Sequence, residues 1–88
     1  MNSAIEVGEP DWRPLERALP SEYCEDFMYI AHVGDIVLYK HRITRRYLNI
    51  DAVTGKFYRY TNGEYAEIDR RQAFDSVYAC LLYTSRCV

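Results

Sequence analysis

The sequence predicts an α+β domain: a short N-terminal helix, a four- to five-stranded antiparallel meander sheet, and a C-terminal helix packed on one face. Tyrosine and β-branched residues alternate with polar residues between 27 and 68, which is typical of half-buried strands. Turn signals, of which Asn62-Gly63 is the strongest, divide that stretch into short segments. Asp69 and Gln72 then form a capping-box pair, which indicates the start of a helix.

The N-terminal part is expected to contain an arm and a short helix. Residues 1–10 show no hydrophobic periodicity and are predicted to be a mobile arm. Asp11 can cap a helix over residues 12–19. Pro20 ends that helix because proline cannot continue the hydrogen-bond ladder, and Ser21 can cap one further turn.

The sheet is predicted from the turns that bound each segment. The five segments cover residues 27–33, 36–41, 45–51, 56–61 and 64–68. Gly34-Asp35 is expected to form the first tight turn, residues 42–44 the second, and a left-handed Gly55 the third. No internal repeat is apparent.

Alternation along the strands assigns side chains to faces. Leu38, Leu48 and Ile50 are the expected core under the final helix and Trp12. The opposite face then presents Tyr39, His41, Arg45, Tyr47 and Asn49. Period alone does not decide whether Phe57 or the pair Tyr58 and Tyr60 faces inward on the fourth strand. A register error of one residue would exchange the two faces.

The C-terminal residues 80–88 are expected to be a non-native tail. Codons for them can be written so that they resemble the transposase mosaic end of sequencing libraries, and residues 11–79 then form a single domain. The tail holds two of the three cysteines, so Cys24 alone cannot support a disulfide. No apolar run reaches membrane-spanning length and no secretory signal is present, so a cytoplasmic location is expected.

Charge is distributed unevenly along the chain. Residues 1–35 carry two basic and eight acidic side chains, whereas residues 36–63 carry six basic and one acidic. Nine of the eleven basic residues are arginines, and a guanidinium binds phosphate or carboxylate through two parallel hydrogen bonds. The basic middle therefore indicates an anionic partner, or packing against the acidic N-terminal region.

The segment from Lys40 to Tyr47 concentrates cations beside tyrosines that can stack a base. The predicted ligand-binding residues are Tyr39, Lys40, His41, Arg42, Thr44, Arg45, Arg46, Tyr47, Asn49, Tyr58 and Tyr60. The sequence thus predicts a small non-catalytic binding protein that holds a phosphate-bearing ligand, either a nucleotide or single-stranded nucleic acid. A charged hairpin that protects the sheet edge from aggregation is the simpler explanation of the same residues.

The alternative function is a protein-binding inhibitor or adaptor that acts through the tyrosine face or the acidic N-terminal region. The nine tyrosines suit an interface, and a chain of 88 residues gains stability by association, so a homo-oligomer is expected. No catalytic motif, cofactor loop or metal-ligand spacing is present, so neither an enzyme, a cofactor nor a metal is predicted. The adapter-like tail indicates that the sequence comes from an environmental or viral sequencing read. A small domain from such a source suggests a phage or mobile-element accessory protein.

Overall fold

The computed structural model describes the backbone of residues 5–87 and the side chains of residues 5–78. The helices are α1 (Arg13–Ala18), α2 (Ser21–Cys24) and α3 (Arg70–Cys87), and the strands are β1 (Phe27–Val33), β2 (Ile36–His41), β3 (Tyr47–Asp51), β4 (Phe57–Thr61) and β5 (Glu64–Ile68). The strands form one antiparallel sheet in the order β1-β2-β3-β4-β5. The predicted α+β meander with a C-terminal helix is confirmed.

The N-terminal segment is tied to β1 by two backbone hydrogen bonds between Glu6 and His32 and by the Tyr29 hydroxyl, which donates to the Val7 carbonyl. The Glu6 N–H donates to the His32 carbonyl at 2.9 Å, and the His32 N–H donates back at 2.8 Å. The predicted cap Asp11 acts just before α1, where its carboxylate accepts the Arg13 N–H at 3.1 Å and binds the Arg13 guanidinium at 3.0 Å. That bond to Arg13 also lowers the pKa of Asp11.

One face of β2 differs from the prediction. Tyr39 pairs with Leu48 and Val37 pairs with Ile50, and all four lie in the core beneath the helices. Leu48 and Ile50 are therefore core residues, as predicted. Leu38 is also buried, but it pairs with Asn49 on the outer face of the sheet.

The turn between β2 and β3 causes this exchange. A turn over residues 42–44 would have paired His41 with Arg45, but the His41 N–H donates to the Arg46 carbonyl at 2.9 Å. Arg45 has a φ of 65°, a left-handed conformation that no strand residue adopts, so β3 begins at Tyr47. The turn is one residue longer than predicted, and a shift of one residue moves the β2 side chains to the opposite face.

His41 organises this turn from inside the core. Its side chain is 1% exposed, and its Nδ1 accepts the N–H groups of Ile43 at 3.1 Å and Thr44 at 3.2 Å. The Thr44 hydroxyl accepts the Arg46 N–H at 3.3 Å. His41 is thus a structural acceptor rather than the ligand-facing side chain that the sequence predicted.

A second turn with the same hydrogen bonds joins β3 to β4. Asp51 Oδ1 accepts the N–H groups of Val53 at 2.8 Å and Thr54 at 2.9 Å. The Thr54 hydroxyl accepts the Lys56 N–H at 3.2 Å, and Gly55 has a φ of 79°. Segments 41–46 and 51–56 therefore form a repeated turn, which the sequence analysis missed because the two segments share few identical residues.

Replacing His41 by Phe is expected to lower the free energy of unfolding by about 1–3 kcal/mol, since two backbone N–H groups lose their acceptor. The phenyl ring keeps the contacts with Phe27 and Tyr78, whose ring centroids lie 5.1 and 5.3 Å from the imidazole. Urea unfolding followed by circular dichroism measures the change. A variant as stable as the wild type would show that the imidazole acceptor contributes nothing.

The C-terminal helix starts as predicted. The Asp69 N–H donates to Gln72 Oε1 at 3.0 Å, and the Gln72 N–H donates to Asp69 Oδ1 at 2.7 Å. Ala73 and Val77 are buried in the core. The helix continues past residue 79 to Cys87, and the foreign origin of residues 80–88 stays a prediction. No helix among the described residues is long and apolar enough to cross a membrane.

Candidate ligand-binding cleft

The sheet has a short seam between β3 and β4. These strands pair only at Asn49–Tyr58 and Ile50–Phe57, next to the Asp51 turn. Beyond the seam an open concavity of about 1170 Å³ lies between β3 and the β4–β5 hairpin and continues over the outer face of the sheet. We call the part between these elements the cleft; it is lined by Arg46, Tyr47, Leu48, Asn49, Tyr58, Arg59, Tyr60 and Tyr65, with Ala73 and Ser76 of α3 also contributing.

Tyrosines make up much of both walls of the cleft. Tyr47 on β3 is 45% exposed and Tyr60 on β4 is 59% exposed. The ring of Tyr60 lies 4.8 Å from that of Tyr65, centroid to centroid. Desolvation raises the pKa of the Tyr65 hydroxyl. These rings present flat apolar surfaces together with polar groups.

Cations stand beside the tyrosines on both sides. Arg46 and Arg59 line the cleft, and the Lys40 ammonium lies 5.6 Å from the centroid of the Tyr47 ring. Glu64 is the nearby carboxylate in the lining, whereas Glu67 pairs with Lys56 at 3.7 Å. The cleft and its immediate border therefore carry more positive than negative charge.

Asn49 connects the two sides where the cleft begins. Its Nδ2 donates to the Tyr58 carbonyl at 3.2 Å across the seam. Its side chain is 5% exposed, and Oδ1 has no hydrogen-bond partner among the described residues. The amide thus holds β3 and β4 in register at their last paired position.

The structure brings together part of the predicted binding set. Five of the predicted residues line the cleft, namely Arg46, Tyr47, Asn49, Tyr58 and Tyr60. Lys40 borders it through its contact with Tyr47. On β4 the inward-facing residue is Phe57, which is buried in the core, whereas Tyr58 and Tyr60 face the cleft.

Other predicted residues lie elsewhere. Tyr39 is fully buried and its hydroxyl donates to the Asp11 carbonyl at 2.5 Å; burial raises its pKa above the usual range. Arg42 binds the Glu25 carbonyl through Nε at 3.0 Å. Thr44 caps the Arg46 N–H, and Arg45 is exposed in the turn. Tyr39 and His41 are thus core residues, and the prediction that they face a ligand is wrong.

Among the polar strand residues of the cleft, Arg59 and Tyr65 were not predicted from the sequence. The Asn62-Gly63 turn was a sufficient signal for Tyr65, because a two-residue turn places Tyr60 opposite Tyr65. Arg59 carried no local signal, since its approach to the cleft depends on the short seam.

Comparisons with protein-family models, with curated proteins and with solved structures gave no match. The described residues contain no group of three or more His, Cys, Asp or Glu side chains arranged to hold a metal ion. The function is therefore inferred from the chemistry of the cleft itself.

Proposed function

We propose that the protein binds single-stranded nucleic acid in the cleft. The observation that carries the proposal is the placement of exposed tyrosines and an arginine on each side of the same opening: Tyr47 with Arg46, and Tyr60 with Arg59. Aromatic rings stack on bases of any sequence, and guanidinium groups bind the phosphates that link them.

The shape of the concavity favours a strand over a single nucleotide. Its lining extends from Tyr65 on β5 to Ile30 on β1 and to Ile5 beside that strand. Neighbouring strands lie about 4.8 Å apart, so the surface crosses roughly 20 Å of sheet. Several nucleotides fit along such a length, and each added phosphate near a cation strengthens binding by counterion release.

Replacing Tyr60 by Ala is expected to weaken binding of an octamer of uridine by about 5- to 150-fold, because stacking contributes roughly 1–3 kcal/mol per base. Fluorescence anisotropy with a labelled octamer measures the affinity, with uridine monophosphate as the short competitor. Tyr23→Ala is the matched control, since Tyr23 is 47% exposed on α2 and lies outside the concavity.

Two results would contradict the proposal. One is the absence of binding by wild-type protein that is free of co-purified nucleic acid, at low salt. The other is an equal effect of Tyr60→Ala and Tyr23→Ala, which would place the contact outside the cleft. Tight binding of uridine monophosphate alone would move the proposal to a nucleotide site.

A protein partner is the second candidate, and the β1–β2 end of the concavity favours it. Ile5, Ile30, Val33 and Leu38 line that end, and aliphatic side chains suit a protein surface better than a phosphate chain. Salt dependence separates the two candidates, because a nucleic-acid complex weakens steeply between low and physiological salt. Native mass spectrometry would show whether the partner is a second copy of the chain.

A further inference from the structure

The β2–β3 and β3–β4 turns have the same hydrogen bonds but differ in the residue at their left-handed position. At the left-handed position the β3–β4 turn has Gly55, with a φ of 79°, whereas the β2–β3 turn has Arg45, with a φ of 65°. Glycine adopts this conformation freely, but a side chain with a Cβ atom is strained there. The chain therefore keeps arginine at a position where glycine would be more stable.

Contacts within the protein do not account for this arginine. Arg45 is exposed, and its guanidinium forms no hydrogen bond, ion pair or ring contact with the described residues. The nearby arginines differ from Arg45 in this respect. The Arg42 guanidinium binds the Glu25 carbonyl, and Arg46 lines the cleft. The strain at Arg45 is not offset by any contact of its side chain in that part of the chain.

We propose that Arg45 is a phosphate-binding residue next to the cleft, and that the strained turn is retained because it presents this guanidinium. Strained residues persist where function requires them. Arg45 immediately precedes Arg46 and Tyr47, which line the cleft on its β3 side, so its backbone adjoins the opening. This inference rests on the nucleic-acid function proposed above and names a contact to the ligand backbone.

The repeated turn supplies a matched test in which composition and net charge do not change. The double variant Arg45→Gly/Gly55→Arg moves the arginine to the equivalent position at the opposite end of β3. A Cβ atom at Gly55 would meet no atom within 4 Å, so the start of a side chain meets no steric obstacle there, and the backbone strain moves with the arginine. The single variant Arg45→Gly relieves the strain without replacing the charge.

Arg45→Gly is expected to raise the melting temperature and to weaken uridine-octamer binding by about tenfold or more, as for the loss of a charge-assisted contact. The log–log salt slope should become shallower by roughly 0.7, as expected for one phosphate contact to a single strand. The double variant should bind as weakly as Arg45→Gly, while its melting temperature returns toward that of the wild type.

The outcomes separate this inference from the proposed function. If the wild type binds the octamer and the double variant binds equally well, only total charge matters and Arg45 is not a specific contact. If Arg45→Gly lowers the melting temperature, the strain argument is wrong. If the wild type binds no oligonucleotide, the proposed function fails and this inference fails with it.

Discussion

Replacing Tyr39 by Ala is expected to lower the free energy of unfolding by about 3–5 kcal/mol, as for other large aromatic residues removed from a core. Tyr39 is fully buried, and its ring centroid lies 5.8 Å from that of Trp12. Its hydroxyl also donates to the Asp11 carbonyl and so joins the segment before α1 to the sheet. A domain of this size lies at the low end of the about 5–15 kcal/mol that is typical of folded proteins, so this loss should remove most of its stability.

Tyr47→Ala is the matched control, and it should cost markedly less stability because Tyr47 is 45% exposed and lies outside the core. Urea unfolding of both variants, followed by circular dichroism, compares the two tyrosines directly. A severe loss of stability in Tyr47→Ala together with a silent Tyr39→Ala would mean that the faces of the sheet are reversed. The cleft would then have no tyrosine of β3 in its wall.

Leu48→Ala is expected to cost about 2–5 kcal/mol, the range for a fully buried leucine that leaves a cavity. Leu48 is 1% exposed in the middle of the sheet, and it pairs with Tyr39 on β2. Leu48 is next to Tyr47 on β3, and both line the cleft. A cavity at Leu48 would therefore also loosen the wall that carries Tyr47. Thermal unfolding and urea unfolding measure the loss.

Ile43→Ala provides the comparison for Leu48→Ala, since Ile43 is also a branched aliphatic residue but is 68% exposed in the turn. It should change stability by no more than about 0.5 kcal/mol. Equal costs for the two variants would show that the turn, rather than the core beneath α3, limits the stability of the sheet.

Local sequence signals predicted much of the fold. The bounds of β1, β2 and β5 follow the prediction, because glycine-containing turns separate them and alternation continues to each turn. The capping box of α3 was equally local, since both of its hydrogen bonds join residues three positions apart. The predicted binding segment from Lys40 to Tyr47 contains two residues that line the cleft, Arg46 and Tyr47.

The sequence by itself determined the elements, their order and the basic, tyrosine-rich character of the middle. Tertiary structure decided which side chains share the cleft. Arg45 takes a left-handed conformation that side chains rarely adopt, which lengthens the turn by one residue and sends Tyr39 and His41 into the core. The short seam between β3 and β4 leaves the opening that Arg59 lines together with Tyr47. Residues 41–46 contain no glycine to mark the left-handed position of the turn, and the separation of β3 from β4 depends on contacts between segments distant in sequence.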